Sequence, residues 1–192
     1  MDRELCRQNE KTNLKPMERK EKKLNRKQLF EICFVRQLEL LHNDQLRLVM
    51  RDKIAPLMVG GDDSLQRAAF AAVRVAHSDE ALAVMFEVEA AHSVGTMKAS
   101  FQMQEKCFSV EISSDGEKMW LTGVSDQAAV RHFGSADAKR WQHIVVIPFA
   151  IIDLCNNAKG VETHIAVSVV DSLASTKEAY ADLTLHGTAD LV

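Results

Sequence analysis

ALAVMFEVEA, residues 81–90, marks the point where the hydrophobic period of the chain changes from about 3.6 to 2. Leu82, Val84, Phe86 and Val88 fall on one side, with Glu87 and Glu89 on the other. Successive side chains of a strand point to opposite faces, so the pattern describes a strand with one face in a core and one in water. Ser78-Asp79-Glu80 just upstream also resembles a helix cap, so a helix is the competing reading. The strand reading is the one carried forward, with Glu87 and Glu89 as a solvated acidic pair.

Downstream the alternation continues. TMKASFQMQ (96–104) sets Met97, Ala99, Phe101 and Met103 against Lys98, Ser100, Gln102 and Gln104. CFSVEIS (107–113) sets Phe108, Val110 and Ile112 against Ser109, Glu111 and Ser113. Asp115-Gly116 suits a tight hairpin, after which KMWLTG (118–123) returns. VSDQAAVRHFGSADAKRW (124–141) reads as a short helix ending near Gly134 and then a loop. HIVVIPFAIIDL (143–154) is apolar on both faces and predicts a buried strand, with Pro148 marking a bulge or an edge. THIAVSVVDS (163–172) and EAYADLTLHG (178–187) add two strands. Strands joined by short turns, each with one apolar face, imply an antiparallel arrangement.

Upstream the period is helical. In LNRKQLFEICFVRQLELLHND (24–44), Phe30, Phe34, Leu38 and Leu41 recur at helical spacing, and no Gly or Pro interrupts them. Asn43-Asp44 then caps DQLRLVMRDKIAPLM (44–58), whose pattern Pro56 breaks. GGDDSLQRAAFAAVRVAHSD (60–79) restarts the signal after Gly60-Gly61, with a face of small residues including Ala68, Ala72 and Ala76. Helices followed by strands, without βαβ alternation, predict an α+β fold. Its expected parts are a basic N-terminal arm over 1–23, flexible or helical, a helical segment over 24–78, and an antiparallel β-meander or β-sandwich over 79–192.

The net charge of −3 conceals an asymmetry: residues 1–27 carry +5 and the remainder −8. KPMERKEKKLNRK (15–27) is the strongest local feature, and Lys15, Arg19, Lys22, Lys23 and Arg26 would line one stripe of a helix. Such a stripe could follow a phosphate backbone. It lacks aromatic residues to stack on bases, and the acidic body opposes docking, so nucleic acid is not favoured. Met17 and Leu24 are too few for a membrane-binding face.

Recognisable chemistry is sparse. Cys6, Cys33, Cys107 and Cys155 form no CxxC, and the seven histidines form no HxH or HxxxH pair, so no metal motif emerges. GGDDSLQR presents two carboxylates where a phosphate loop needs GxxxxGK, and GxSxG is absent. The sequence therefore names no catalytic, cofactor or metal residue, and a non-enzyme is the favoured expectation. Free thiols without an apolar leader suggest a reducing, cytoplasmic setting, and no run approaches the ~20 apolar residues of a membrane span.

Two functional readings lead, with nucleic-acid binding through the basic arm kept as a further alternative. The leading one is a protein-interaction module, an adaptor, regulator or assembly subunit, that engages a protein partner or a second copy through the amphipathic helix of Phe30, Phe34, Leu38 and Leu41. The alternative is a β-domain that binds a small ligand or carbohydrate, using Trp120 and Trp141 as stacking groups on an open, concave sheet face.

Overall fold

The computed structural model describes residues 28–59, 71–89, 94–113, 116–137, 140–154, 162–171 and 176–185. In chain order the strands are β1 (Gln28–Phe34), β2 (Leu57–Val59), β3 (Ala71–His77), β4 (Ala81–Glu89), β5 (Val94–Met103) and β6 (Lys106–Ser113). They continue as β7 (Met119–Thr122), β8 (Arg131–Ala136), β9 (Arg140–Pro148), β10 (Glu162–Asp171) and β11 (Thr176–Leu185). One α-helix, α1 (Asn43–Lys53), occurs among the described residues, with short 3-10 turns at Leu38–Leu40, Gln127–Ala129 and Phe149–Ile152. None of these helices is long and apolar enough to cross a membrane.

The strands form a β-sandwich of two sheets. The first runs β7-β6-β5-β10-β11-β1 and the second β1-β3-β4-β9-β8, with β2 also on β3. β1 serves both: Gln28–Ile32 run parallel to Ala181–Leu185 of β11, and Cys33 and Phe34 then pair in parallel with Ala76 and His77 of β3. Most other pairings are antiparallel, as the alternation implied.

The inward rows meet as one core. Phe86, Val84 and Leu82 of β4 face Phe101, Ala99 and Met97 of β5 and Phe108, Val110 and Ile112 of β6 within a single buried cluster. A second cluster lies on the outer side of the β3-β4-β9 sheet. There Leu46, Met50 and Ile54 of α1 and its C-cap, with Leu38, cover Ala76, Ala83, Met85, Ile144 and Val146. The small side chains of Ala76 and Ala83 leave room for α1 to approach the sheet closely. β4 is consequently buried on both faces from Ala81 to Val88.

The predicted α+β order is thus overturned: the described residues are mostly strand and build a sandwich, with no run of helices before the sheet among them. Three local competitions decided it. From Gln28 onward the 24–44 segment follows the strand geometry of β1 and then a 3-10 turn, because Ile32 has a place in the core and β1 pairs with β11 along its first half and with β3 at its end. The Ala-rich face over 60–79 belongs, from Ala71 onward, to β3, whose Val73 and Val75 point into the main core while Ala76 meets α1's cluster. The helix expected near 124–134 is a 3-10 turn followed by strand β8. Among the described residues, only the 44–58 segment supplies its helix, as α1. Pro148 ends β9, in register with Ala81 at the end of the ladder, where a missing N–H costs least.

Glu87 is 5% exposed, which corrects its reading as a solvated residue. Arg74 donates its Nε–H to Glu87 Oε2 at 2.5 Å, and Gln142 donates from Nε2 to Oε1 at 2.8 Å. Arg74 also donates through Nη1 to the carbonyl of Ile54. The shielded guanidinium therefore binds the end of α1 to β3 and β4, in a setting where loss of one partner would strand a buried charge. Leu46 is fully buried while Leu48 is 49% exposed, so α1 offers an internal comparison. Leu46→Ala should cost about 2–5 kcal/mol in urea unfolding and Leu48→Ala less than about 0.5 kcal/mol. Equal effects would contradict this seating of the helix.

Candidate functional site

The outer face of the first sheet is shaped by side-chain size, row by row. Register places Thr122 of β7 opposite Ser109 of β6, Ser109 opposite Ser100 of β5, and Ser100 opposite Ala166 of β10. Four short side chains thus lie in line across four strands. On one side of them runs a row whose Trp120, Glu111 and Lys98 are taller and whose last member, Ser168, is short; on the other run Cys107, Gln102 and His164. Same-face rows two residues apart are separated by about 7 Å, so the flanking rows stand roughly 13 Å apart, centre to centre. The result is a trough across the strands with a depression of about 430 Å³, lined by Ser100, Gln102, Cys107, Ser109, Thr122 and His164 among others.

Trp120 stands beside this trough, two residues before Thr122 and on the same face, with 46% of its surface exposed. Its neighbours Met119 and Leu121 point inward against the core, and Leu121 is itself buried, which fixes the direction of the indole. Gly123 follows β7 at φ +77°, and a Cβ there would overlap the carbonyl oxygen of Cys107. Glycine is therefore required where β7 presses back on β6.

Trp141 sits elsewhere. It lies on the inward side of β9, half-buried, and packs on the core. Its ring is 5.9 Å from that of His143, which is 5.5 Å from that of His132 on β8; both pairs are stacked. A Cβ on Gly116 would come within 3.2 Å of His143 Nδ1 and 3.4 Å of Trp141 Nε1, and one on Gly134 within 2.8 Å of His143 Nδ1. Two glycine backbones thus close over the His143 ring. The imidazole is 4% exposed, and neither ring nitrogen has a hydrogen-bond partner. Burial, and then the neighbouring His132, pull its pKa down to about 4.

The residues singled out in the sequence are therefore dispersed. Trp120 and Trp141 do not share a face. Phe30 and Phe34 lie on β1, Phe34 with its ring edge-on to His77 at 5.4 Å, while Leu38 is fully buried and Leu41 half-buried over the second cluster. These four form no helical stripe, so the surface on which the adaptor reading rested is not built. Lys15, Arg19, Lys22, Lys23 and Arg26 lie outside the described residues. The trough floor was missed because alternation identifies Ser100 and Ser109 as outward but not as facing each other. Among the described residues, no group of three or more His, Cys, Asp or Glu could hold a metal ion.

No protein-family model matches the sequence, and no curated protein matches it. Similarity appears in three dimensions. A Bacteroides uniformis protein provisionally described as carbohydrate-binding superposes with TM-score 0.60 at 11% identity, covering 83% of this chain and 100% of its own. A family 9 carbohydrate-binding module from Caldicellulosiruptor kristjanssonii, in complex with cellotriose, gives 0.58 at 11% identity, covering 84% and 96%. A structure of a family 9 module from that organism with glucose gives 0.51 at 10%, covering 85% and 98%. At these identities the likeness establishes a shared β-sandwich fold.

The buried imidazole has a measurable consequence. Free in the unfolded chain it takes its proton near pH 6.5, and in the fold only near 4, so between these values the unfolded chain holds more protons. His143's contribution to stability is complete above pH 6.5 and diminishes as pH falls toward 4. Urea unfolding should show a loss of about 2 kcal/mol from this group between pH 7 and pH 5, absent in His143→Phe. An identical pH slope in the variant would contradict the assignment.

Proposed function

We propose that this chain is a carbohydrate-binding domain and that the trough beside Trp120 is its site. The observation carrying the reading is an exposed indole standing beside a trough floored by short, mostly hydroxylated side chains. A pyranose ring presents C–H groups on its faces and hydroxyls around its edge. A half-exposed indole suits the first, since it offers a large apolar surface at little entropic cost. Ser100, Ser109, Thr122, Gln102 and His164 suit the second, because hydroxyl, amide and imidazole groups donate and accept as sugar hydroxyls require.

The trough floor carries no charged side chain; Glu111 and Lys98 stand in the flanking row, directly opposite each other in register. Their opposite charges leave little net field over the floor, which favours a neutral saccharide over a uronic acid or a sulfated one. Four strands spaced about 4.8 Å apart give the floor a length of roughly 14 Å, enough for a short oligosaccharide. The saccharide-bound neighbours of similar fold support the reading by analogy.

Calorimetric titration with cellotriose and with xylotriose tests it. Binding by the native chain should weaken at least about tenfold in Trp120→Ala, equivalent to about 1.4 kcal/mol. Ser100→Gln, which fills the floor without touching the core, should weaken it similarly, and Trp141→Phe should leave it within about twofold. Unaltered affinity in both Trp120→Ala and Ser100→Gln would sink the proposal.

A further inference from the structure

Trp120 and the hollow of the trough lie on opposite sides of the floor. The depression of about 430 Å³ is lined by Ser100, Gln102, Cys107, Ser109, Thr122 and His164 among others. None of its described lining residues belongs to the row of Trp120, Glu111 and Lys98. Its far wall is the other flanking row, in which Cys107 stands opposite Gln102 and Gln102 opposite His164. Cys107 and Gln102 are exposed, so the hollow opens to solvent without rearrangement. β7 contributes only Thr122 to it, and the rest spreads over β6, β5 and β10, away from the strand that carries Trp120.

We propose that the hollow is a second subsite, set beside the Trp120 subsite rather than in line with it, and that it takes a branch sugar. The preferred ligand is then a neutral oligosaccharide that bears side-chain residues. This inference rests on the carbohydrate reading of the trough. Size excludes the small substituents of an unbranched chain: a hydroxymethyl group displaces about two waters, at about 30 Å³ each, and leaves most of the hollow unfilled. A volume of about 430 Å³ falls instead within the roughly 300–1,000 Å³ of sites that take a whole small ligand. Direction separates a branch from a further unit of the main chain. Thr122, Ser109, Ser100 and Ala166 run in line across the strands. A linear chain that follows them from Trp120 proceeds from β7 toward β10 and passes the hollow along its flank. A branch joined through an exocyclic CH2–O group has one more rotatable bond than a ring-to-ring linkage, so it can turn off that line. The chemistry of the wall suits such a unit. Gln102, His164 and the floor hydroxyls donate and accept as sugar hydroxyls require, and no carboxylate, Lys or Arg stands among the described lining residues.

Calorimetric titration of the full chain with matched pairs of ligands tests the inference. One pair is cellotetraose and its xylose-branched heptasaccharide; the other is mannotriose and its galactose-branched counterpart. In at least one pair the branched member should bind at least about tenfold tighter. Cys107→Phe, at an exposed position, sets a ring in the hollow and should reduce that advantage to within about twofold. Gln102→Ala removes a wall group without adding bulk and should reduce it at least about threefold, which keeps the test available if Cys107→Phe does not fold. Trp120→Ala should weaken both members of the pair by the same factor. If the linear members bind and neither branched member gains about tenfold, the branch subsite is overturned and the carbohydrate reading stands. An advantage that survives both Cys107→Phe and Gln102→Ala refutes its placement in the hollow. Equal weakening of linear and branched members by Cys107→Phe means that the hollow holds the main chain, which also overturns the inference. Binding of none of the four ligands refutes the carbohydrate reading, and the branch subsite with it.

Discussion

The sandwich depends on β1 pairing with two sheets at once. Gln28–Ile32 lie against β11, the last strand in the chain, and Cys33 and Phe34 lie against β3. Parallel neighbours cannot be joined by a tight turn, so these pairs connect segments far apart in sequence. Once β1 is fixed, Ile32 enters the common core and the two inward rows are held face to face. Removing β1 would leave β11 with an open edge and uncover the Ala76–His77 end of β3, beyond the reach of β2, the condition that most exposes a sheet to wrong pairing.

From that closure follows an inequality between the two outer faces. The β3-β4-β9 face is covered by α1 and the Leu38 turn, and Arg74 and Glu87 bind the helix end to it. The β7-β6-β5-β10 face bears short polar side chains in its middle row, with taller ones on either side. One layer has spent its outer surface on stability, and the other presents a shaped, open surface.

The sequence made the half-buried strands legible and the doubly buried ones ambiguous. β5, β6 and β7 have one wet face, so Met97, Ala99, Phe101 and Phe108, Val110, Ile112 declare a period of 2, and the outward direction of Trp120 follows from Met119 and Leu121. β3 has α1's cluster on one side and the main core on the other, so AAVRVAH carries no alternation, and its small residues imitate a helix face. In β1, Phe30, Phe34, Leu38 and Leu41 match helical spacing by coincidence, since the last two belong to a different turn of chain. The trough was hidden for another reason: it depends on register, which aligns Thr122, Ser109, Ser100 and Ala166, and no single strand encodes that. His143 was hidden because nothing in AKRWQHIVV reveals that two distant glycines close over it.

The most direct examination of the central claim, that the Trp120 face holds carbohydrate, is an amide nuclear magnetic resonance titration of the isotopically labelled chain with cellotriose at pH 7. Shifts concentrated at Trp120, Thr122, Ser109, Ser100 and His164, with those over α1 and its sheet face unmoved, would place the sugar across the trough. Shifts concentrated at α1 or along β8 and β9, with the Ser100–Ser109 row silent, would contradict the account.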